Sequence, residues 1–159
     1  MSKDRKHFHV DILVEDPKWI QKLNEQAWEN FFLTCLGRVF SYFNFQNGCE
    51  LSILLTNSEK MRELNQNFRS KDKPTNVLSF PSDEFDKENG GFLGDLAFGY
   101  EIIQGEKSDF MSHMTHLTIH GILHLLGFDH ETDQDAEKME NCEINILKLF
   151  NIPNPYSEL

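Results

Sequence analysis

The sequence predicts an α+β fold in a single domain over residues 1–159, with a small mixed sheet of about four strands and about five helices. Segments rich in β-branched and alternating apolar residues are separated by segments whose apolar residues recur three and four positions apart. The chain length suits one domain with its own core. Its 39% hydrophobic residues, with 14 phenylalanines, are typical of a folded chain rather than a disordered one.

The first quarter of the chain is predicted to form a strand followed by a long helix. Residues His7 to Asp16 alternate in polarity and are rich in branched side chains, which indicates a strand. Asp16 and Pro17 then open a helix as N-cap and first helical residue. The apolar residues from Ile20 to Phe43 form one helical stripe that faces a core, and Gly37 is the point where this helix can bend or divide.

The remaining elements alternate before a helical final third, giving the predicted order β-α-β-α-β-β-α-α. A second strand and a short helix with Ser58 as its cap are followed by a basic loop, two strands paired as a hairpin, and two helices. Gly127 stops the first of these helices, and Thr132 with Asp135 resembles a capping box that opens the second. The predicted bounds are Cys49 to Asn57, 58–69, Thr75 to Pro81, Phe92 to Glu101, Ser108 to Leu126 and Thr132 to Phe150.

The composition limits the kinds of partner that the protein can have. A formal net charge of −11 argues against a generic nucleic-acid binder, because phosphate backbones are held by concentrated lysine and arginine. Any contact with RNA must therefore be local. The richest basic stretch is diluted by three acidic residues, and as a charge pattern alone it is typical of a solvated face. Its basic members are Lys60, Arg62, Arg69, Lys71 and Lys73.

Cysteine usage and hydropathy predict a cytoplasmic protein without a membrane partner. The three cysteines are odd in number and include no CxxC pair, which suits a reducing compartment and buried apolar roles. The first residues lack the apolar core of a signal peptide. The most apolar stretch, Phe31 to Phe43, contains Arg38 and is too short to span a bilayer.

The stretch HGILHLLGFDH, from His120 to His130, carries the main chemical signal. His120 and His124 are four residues apart and lie on the same face of a helix, and a turn at Gly127 can bring His130 back to them. Three neutral imidazoles with an open position are typical of a catalytic zinc site, where the metal lowers the pKa of its water to about 7.

This spacing is that of a metzincin protease, but Gly121 stands where such a protease has its catalytic glutamate. The general base of peptide cleavage is therefore missing. Gly121 also belongs to the apolar stripe opposite the histidines, where it lets the helix approach its neighbour closely. His116 extends the histidine face as a further ligand, a residue that supports a ligand, or a polar cleft wall. His113, His7 and His9 are interpreted as ordinary polar residues.

Three blocks of sequence resemble the YbeY family of bacterial and organellar endoribonucleases. The first is HLTIHGILHLLGFDHETDQDAEKME, which is similar to the family motif HGxLHLxGYDH followed by an acidic helix. The second, FRSKDKPTNVLSFP, looks like the family's basic loop and strand, and LGDLAFGYE looks like its next strand. The blocks come in the family order and span roughly Asn65 to Tyr156, whereas the first 60 residues match in pattern only.

The resemblance implies a single-domain metalloprotein that binds one zinc ion per chain through His120, His124 and His130. It implies a single-strand-specific endoribonuclease that acts in ribosomal RNA maturation and in quality control of the small ribosomal subunit. The implied partners are single-stranded or ribosomal RNA and the small ribosomal subunit with its assembly factors, and not DNA.

The resemblance also assigns roles to individual residues. Arg69 matches the family's catalytic arginine and is suited to a scissile phosphate, and His120 is the second residue implied in cleavage. Lys71, Lys73 and His116 are the expected substrate-binding residues. Asp95 matches a recurrent family position, but a carboxylate there more often makes a supporting hydrogen bond than acts in catalysis.

The chain departs from the family pattern at three positions near these motifs. Phe68 and Phe128 stand where tyrosine is frequent, and Ser70 stands where glycine is frequent. This chain therefore lacks those two hydroxyls and that glycine.

Two alternatives to the ribonuclease remain open from sequence. A metalloprotease-like metal hydrolase fits the histidine spacing, but Gly121 argues against it and Arg69 favours the ribonuclease. A ribosome-assembly factor with a mainly structural zinc is the other alternative. Three ligands with an open position argue against it, and a fourth ligand at His116 would favour it.

Overall fold

The computed structural model describes residues 7–107 and 109–157, and these form four strands and six helices. The predicted α+β fold with a small mixed sheet is confirmed. The strands are β1 (His9–Val14), β2 (Glu50–Thr56), β3 (Val77–Pro81) and β4 (Phe92–Gly99). The helices are α1 (Lys18–Lys22), α2 (Glu25–Tyr42), α3 (Ser58–Arg69), α4 (Tyr100–Glu106), α5 (Phe110–Leu125) and α6 (Asp133–Lys148).

The sheet has the strand order β1-β2-β4-β3. β1, β2 and β4 are parallel, and β3 is antiparallel to β4, which confirms the predicted hairpin. β3 is therefore an edge strand with one side free of strand pairing. In its register Ser79 lies opposite Leu96 and Phe80 lies opposite Asp95, so each pair shares a face of the sheet.

The two faces of the sheet are covered by different helices. One face packs against α2 and α5 in the main core, which contains Trp19, Trp28, Phe32 and Phe98. The other face is covered by α3 through a smaller cluster around Met61, with Leu78 and Ala97 of the sheet. Because β3 is the edge strand, it alone separates the α5 side from the α3 side at this end of the molecule.

The prediction of one long helix from Pro17 to Phe43 is wrong, because this segment forms two helices, α1 and α2. The chain breaks at Leu23 and Asn24, and the side chain of Asn24 caps α2 by accepting from Ala27 N at 2.8 Å. Gly37 lies inside α2 without a break. The break lets the indole of Trp28 donate to the Trp19 carbonyl at 2.9 Å, which joins the two helices in the core.

Several predicted ends also need correction. The side chain of Asn57, and not that of Ser58, caps α3 by accepting from Lys60 N at 2.9 Å. The strand predicted to run to Glu101 ends at Gly99, and its last two residues start α4, a helix that the sequence prediction missed. α1 begins at Lys18 with Pro17 at its N-cap position, one residue later than predicted, although Asp16 Oδ1 still accepts from Lys18 N at 2.9 Å. Thr132 is the N-cap of α6 as expected and accepts from Asp135 N at 3.0 Å. Ser108, the predicted start of α5, lies outside the described residues.

Among the helices of the described residues, none has the length and apolarity needed to cross a membrane.

Candidate metal centre and adjoining cleft

The structure brings His120, His124 and His130 together. Each offers one ring nitrogen to a group whose atoms all lie within 4.8 Å of one another. His120 and His124 are one turn apart on α5, which ends at Leu125. Gly127 has φ +104°, a backbone conformation that favours glycine, and this turn returns the chain so that His130 faces the helix.

Hydrogen bonds fix which nitrogen of two histidines faces the group. Nδ1 of His124 lies 2.9 Å from the Phe128 carbonyl and must donate, because a carbonyl oxygen only accepts. Nδ1 of His120 likewise donates to the carboxylate of Glu143 at 2.8 Å. In the neutral rings each Nε2 atom then carries a lone pair, and the two Nε2 atoms lie 3.1 Å apart. This geometry, with a ring nitrogen of His130 close by, allows the three residues to hold a metal ion.

The environment of His124 favours the neutral form of its imidazole. Burial lowers the pKa of His124, and the neighbouring ring of His120 lowers it further. A metal binds the neutral form of histidine, so the lowered pKa reduces competition from protons.

Glu143 is the central residue behind the histidines, and the sequence analysis missed it. It is fully buried on α6 and accepts hydrogen bonds from His116 Nε2 at 2.6 Å, His120 Nδ1 at 2.8 Å and the Tyr156 hydroxyl at 2.5 Å. Burial would raise the pKa of Glu143, but these hydrogen bonds outweigh it and lower the pKa to about 2. An ionised carboxylate behind a ligand histidine orients the ring and strengthens it as a ligand.

A signal for Glu143 exists in the sequence. α6 is strongly acidic, so another glutamate looks like a surface residue. However, Met139, Glu143, Ile146 and Leu147 share the buried stripe of the helix, with spacings typical of one face. An acidic residue on an apolar stripe is rarely buried without a partner.

Three other histidines contact carboxylates outside the metal-binding group. Nε2 of His116 lies 2.6 Å from the Glu143 carboxylate and 3.3 Å from the Tyr156 hydroxyl, so this nitrogen already has hydrogen-bond partners. His113 lies on α5 with Nε2 2.7 Å from Glu106. His9 lies on β1, at the opposite edge of the sheet, beside Asp11.

The three histidines open into a cleft of about 630 Å³. Its floor is α5, one wall is the edge strand β3 with the residues before it, and Tyr156 closes another side. Arg69, Lys71 and Lys73 of the basic loop line the same cleft, together with His116. The structure therefore places all the sequence-predicted site residues around one cavity, and none of the described residues that line it carries a carboxylate.

Arg69 is held at the lip of the cleft. Its Nη2 donates to the Ser79 carbonyl on the free side of β3 at 2.7 Å, and its guanidinium lies 5.2 Å from the ring centre of Phe80. Nη1 donates to the Phe68 carbonyl at 3.3 Å, and because the residue remains exposed, its remaining donors are accessible. Ser70 follows in the left-handed conformation, φ 58°, where the family often has glycine, so α3 ends with the same kind of turn.

Two further sequence expectations can be placed. A Cβ on Gly121 would lie 2.8 Å from Leu96 Cδ2, which confirms that this glycine allows α5 to approach the sheet closely. Asp95 does not line the cleft, because it projects from β4 to the α3 side of the sheet, opposite Phe80.

Comparisons with known proteins show the family of the chain. A family model described as endoribonuclease YbeY matches residues 4–151. An endoribonuclease YbeY of Bartonella bacilliformis is 47% identical over 157 residues, which cover 94% of this chain and 98% of the relative. One of Rhodopseudomonas palustris (strain ATCC BAA-98 / CGA009) is 46% identical over 117 residues, or 69% of this chain. That match spans 62% of the relative's length. The chain belongs to the YbeY family.

Proposed function

We propose that this protein is a zinc-dependent, single-strand-specific endoribonuclease. Its role would be ribosomal RNA maturation and quality control of the small ribosomal subunit in the cytoplasm, with that subunit and its assembly factors as partners. The observation that carries the proposal is the meeting of a three-imidazole group and an exposed arginine in one cleft. Family membership supports RNA as the substrate.

His120, His124 and His130 would hold one zinc ion per chain through ring nitrogens. When bound, zinc supplies a water molecule of lowered pKa and a Lewis acid for a phosphoryl oxygen. Glu143 keeps the His120 ring in the orientation and tautomer that present Nε2 to the ion. His120 thereby serves both as a ligand and as the link between the ion and the buried carboxylate.

Arg69 is suited to the scissile phosphate. Its guanidinium stays charged throughout the physiological pH range, and its planar donors match two phosphoryl oxygens. Nη2 donates to the Ser79 carbonyl and Nη1 donates to the Phe68 carbonyl at 3.3 Å, which fixes the orientation of the group and leaves its remaining N–H donors for substrate. Charge that develops on the phosphoryl oxygens is stabilised by this preset arrangement. Lys71 and Lys73 would hold neighbouring phosphates, and His116 would form part of the wall.

The lining of the cleft favours phosphodiester over peptide cleavage. A protein with a net charge of −11 has a cleft whose described lining contains three cationic side chains and no carboxylate. A metalloprotease needs a glutamate beside the metal-bound water, and Gly121 occupies that position. A structural zinc usually has four protein ligands, and His116 is the candidate for the fourth. Because Nε2 of His116 is hydrogen-bonded to Glu143, a purely structural zinc is disfavoured.

The deciding experiment compares wild type, Arg69→Ala and Arg38→Ala on a labelled single-stranded fragment of ribosomal RNA. Arg38 is a matched control because it is an exposed arginine on α2 that donates to the Leu149 carbonyl, lies over the Phe150 ring and does not line the cleft. Wild type and Arg38→Ala should cleave, and Arg69→Ala should not while keeping its metal. Equal cleavage by all three would point to a contaminant or to a docking factor.

A further inference from the structure

An exposed aromatic patch lies on the other side of the edge strand from the cleft. Phe68, in the last turn of α3, is 60% exposed. Its ring packs edge-to-face against Phe80, with the ring centres 5.3 Å apart. The two rings border a pocket of about 380 Å³ on the α3 side of the sheet, and this volume is within the range of small-ligand sites. The other lining residues are Leu54, Leu64, Asp95, Leu96 and Ala97.

Arg69 connects this pocket to the cleft. Its guanidinium lies over the ring of Phe80 and donates to the Ser79 carbonyl. Of the two residues beside Ser79, Leu78 lines the cleft and Phe80 lines the aromatic pocket. Only the width of one strand, β3, separates the cavities at this point. A nucleotide whose phosphate contacts Arg69 therefore has the metal centre on one side and the aromatic pocket on the other.

The pocket contains one acceptor for hydrogen bonds. Asp95 lies directly opposite Phe80 in the antiparallel pair, so the carboxylate stands beside the ring on the same face. It makes no side-chain hydrogen bond within the part of the chain that the structure describes. Asp95 is exposed at the mouth of the pocket, where a ligand can reach it, and partial burial beside its apolar neighbours raises the pKa of the carboxyl group.

The chemistry of the pocket selects a base and excludes a phosphate. Aromatic faces stack on any nucleobase, whereas a carboxylate repels phosphate and accepts from N–H groups. Guanine offers a ring N–H and an amino group side by side on its Watson–Crick edge, which matches the two oxygens of a carboxylate. Adenine and cytosine offer an amino group alone on that edge, and uracil flanks its single ring N–H with acceptors.

We propose that Phe68, Phe80 and Asp95 form a nucleobase pocket that binds an unpaired guanine next to the phosphate at Arg69. The inference rests on the proposed ribonuclease function and adds a base preference to it. A paired guanine has its Watson–Crick edge occupied, so the pocket accepts only single-stranded RNA. It thus provides a physical basis for single-strand specificity.

The test uses three variants of the pocket and one control in the metal-loaded protein. Phe68→Ala removes the stacking face, Phe68→Trp keeps it, and Asp95→Asn removes the charge. Leu13→Ala is the matched control, because Leu13 is also 60% exposed but lies on β1 at the other edge of the sheet. Substrates are single-stranded oligoribonucleotides that differ only in having G, A, C or U at each position around the cleavage site.

For the guanine substrate, Phe68→Ala should raise KM roughly 5- to 100-fold, the range expected for the loss of one base stack. Asp95→Asn should raise KM for guanine and reduce the preference over the other bases, while Phe68→Trp and Leu13→Ala stay near wild type. Metal content and kcat should stay unchanged in all four variants. Unchanged KM in Phe68→Ala, or a wild type without base preference, would overturn the proposal.

A binding readout separates this inference from the proposed function. Trp19 and Trp28 are fully buried, so the indole of Phe68→Trp is the tryptophan that a bound base can stack on and quench. Its fluorescence should be quenched more by guanine-containing than by uridine-only oligonucleotides. If the protein cleaves no RNA but this selective quenching occurs, the nucleobase pocket is supported and the proposed ribonuclease function is refuted. If neither quenching nor a KM effect is seen, the pocket fails whatever the protein cleaves.

Discussion

The carboxylate of Glu143 accepts a hydrogen bond from Nδ1 of His120 at 2.8 Å, across the packing of α6 against α5. The same carboxylate is reached by Tyr156, whose pKa is raised by burial and by the negative charge of Glu143, so its hydroxyl remains a donor. A buried anion therefore sits directly behind one of the three imidazoles that can hold a metal. This arrangement stabilises a cation at the mouth of the group.

Replacing Glu143 with glutamine should weaken metal binding roughly 10- to 100-fold, because the neutral amide orients His120 less firmly and supplies no charge. Competition with a chromophoric chelator measures this directly. Glu137→Gln is the control, since Glu137 lies on the same helix and away from its buried stripe. Tyr156→Phe, which removes one donor and keeps the carboxylate, should have a smaller effect. An affinity for Glu143→Gln equal to the control would refute the role assigned to Glu143.

Metal binding and cleavage should separate between two alanine variants. His124→Ala should lose both, because it removes a ligand, whereas Arg69→Ala should keep the metal and lose cleavage. Atomic spectroscopy of the purified proteins gives metal content, and a single-stranded RNA assay gives activity. Equal metal loss in both variants would contradict this division of labour.

Two glycines in helices should respond differently to alanine. A Cβ at Gly37 meets no atom within 4 Å, so Gly37→Ala should raise the free energy of unfolding by about 0.5–1 kcal/mol. At Gly121 the same helical gain is opposed by contact with Leu96 in a packed core, which costs about 1–3 kcal/mol. Urea unfolding should therefore rank Gly37→Ala above wild type and Gly121→Ala below Gly37→Ala. The same gain in both would mean that α5 has room to move.

The cysteines should be unreactive in the folded protein. Burial raises the pKa of Cys49 to about 12 and raises that of fully buried Cys35 as well, so at pH 8 both are neutral thiols rather than reactive thiolates. Cys142 is half-buried with a raised pKa, so it should react first but slowly. In a titration with a thiol reagent, all three cysteines should react rapidly only after the protein is unfolded in urea. Rapid labelling of Cys35 in the native state would contradict the burial described here.

Salt should weaken the interaction with RNA steeply. The cleft contributes a few cations within a chain of net charge −11, so affinity depends on phosphate contacts whose counterions are released on binding. Replacing Lys71 or Lys73 with alanine should lower the slope of log affinity against log salt by about 0.7 for each phosphate that the side chain neutralises. Tight binding to naked duplex RNA at physiological salt would contradict this expectation.

Local patterns in the sequence predicted much of the fold. The apolar stripes of α2 and α5, the β3–β4 hairpin and the turn at Gly127 follow from spacing and turn chemistry. The break at Asn24 was missed because neither glycine nor proline marks it, and α4 was missed because its seven residues continue directly from a strand. Both depend on packing around Trp19 and Trp28, which one-dimensional patterns do not contain.

The candidate site was predictable where its residues are close in sequence. The three histidines lie within eleven residues and share a helix and a turn, so their meeting follows from helical geometry. Glu143 and Tyr156 come from later segments and are brought in only by the docking of α6 and the chain after it. Asp95 and Ser79 lie on opposite sides of the sheet because of the register between β3 and β4. The pattern of apolar residues in a half-exposed edge strand does not determine that register.

The closeness of the three imidazoles along the chain also bears on the order in which the protein matures. A helix and one turn form by local contacts, which need little loop-closure entropy, whereas Arg69 reaches its position only after β2, β4 and β3 have assembled over long sequence separations. In a partly folded chain the three imidazoles can therefore meet through local structure alone, whereas Glu143 joins them only when α6 has docked and Arg69 only when the sheet is complete.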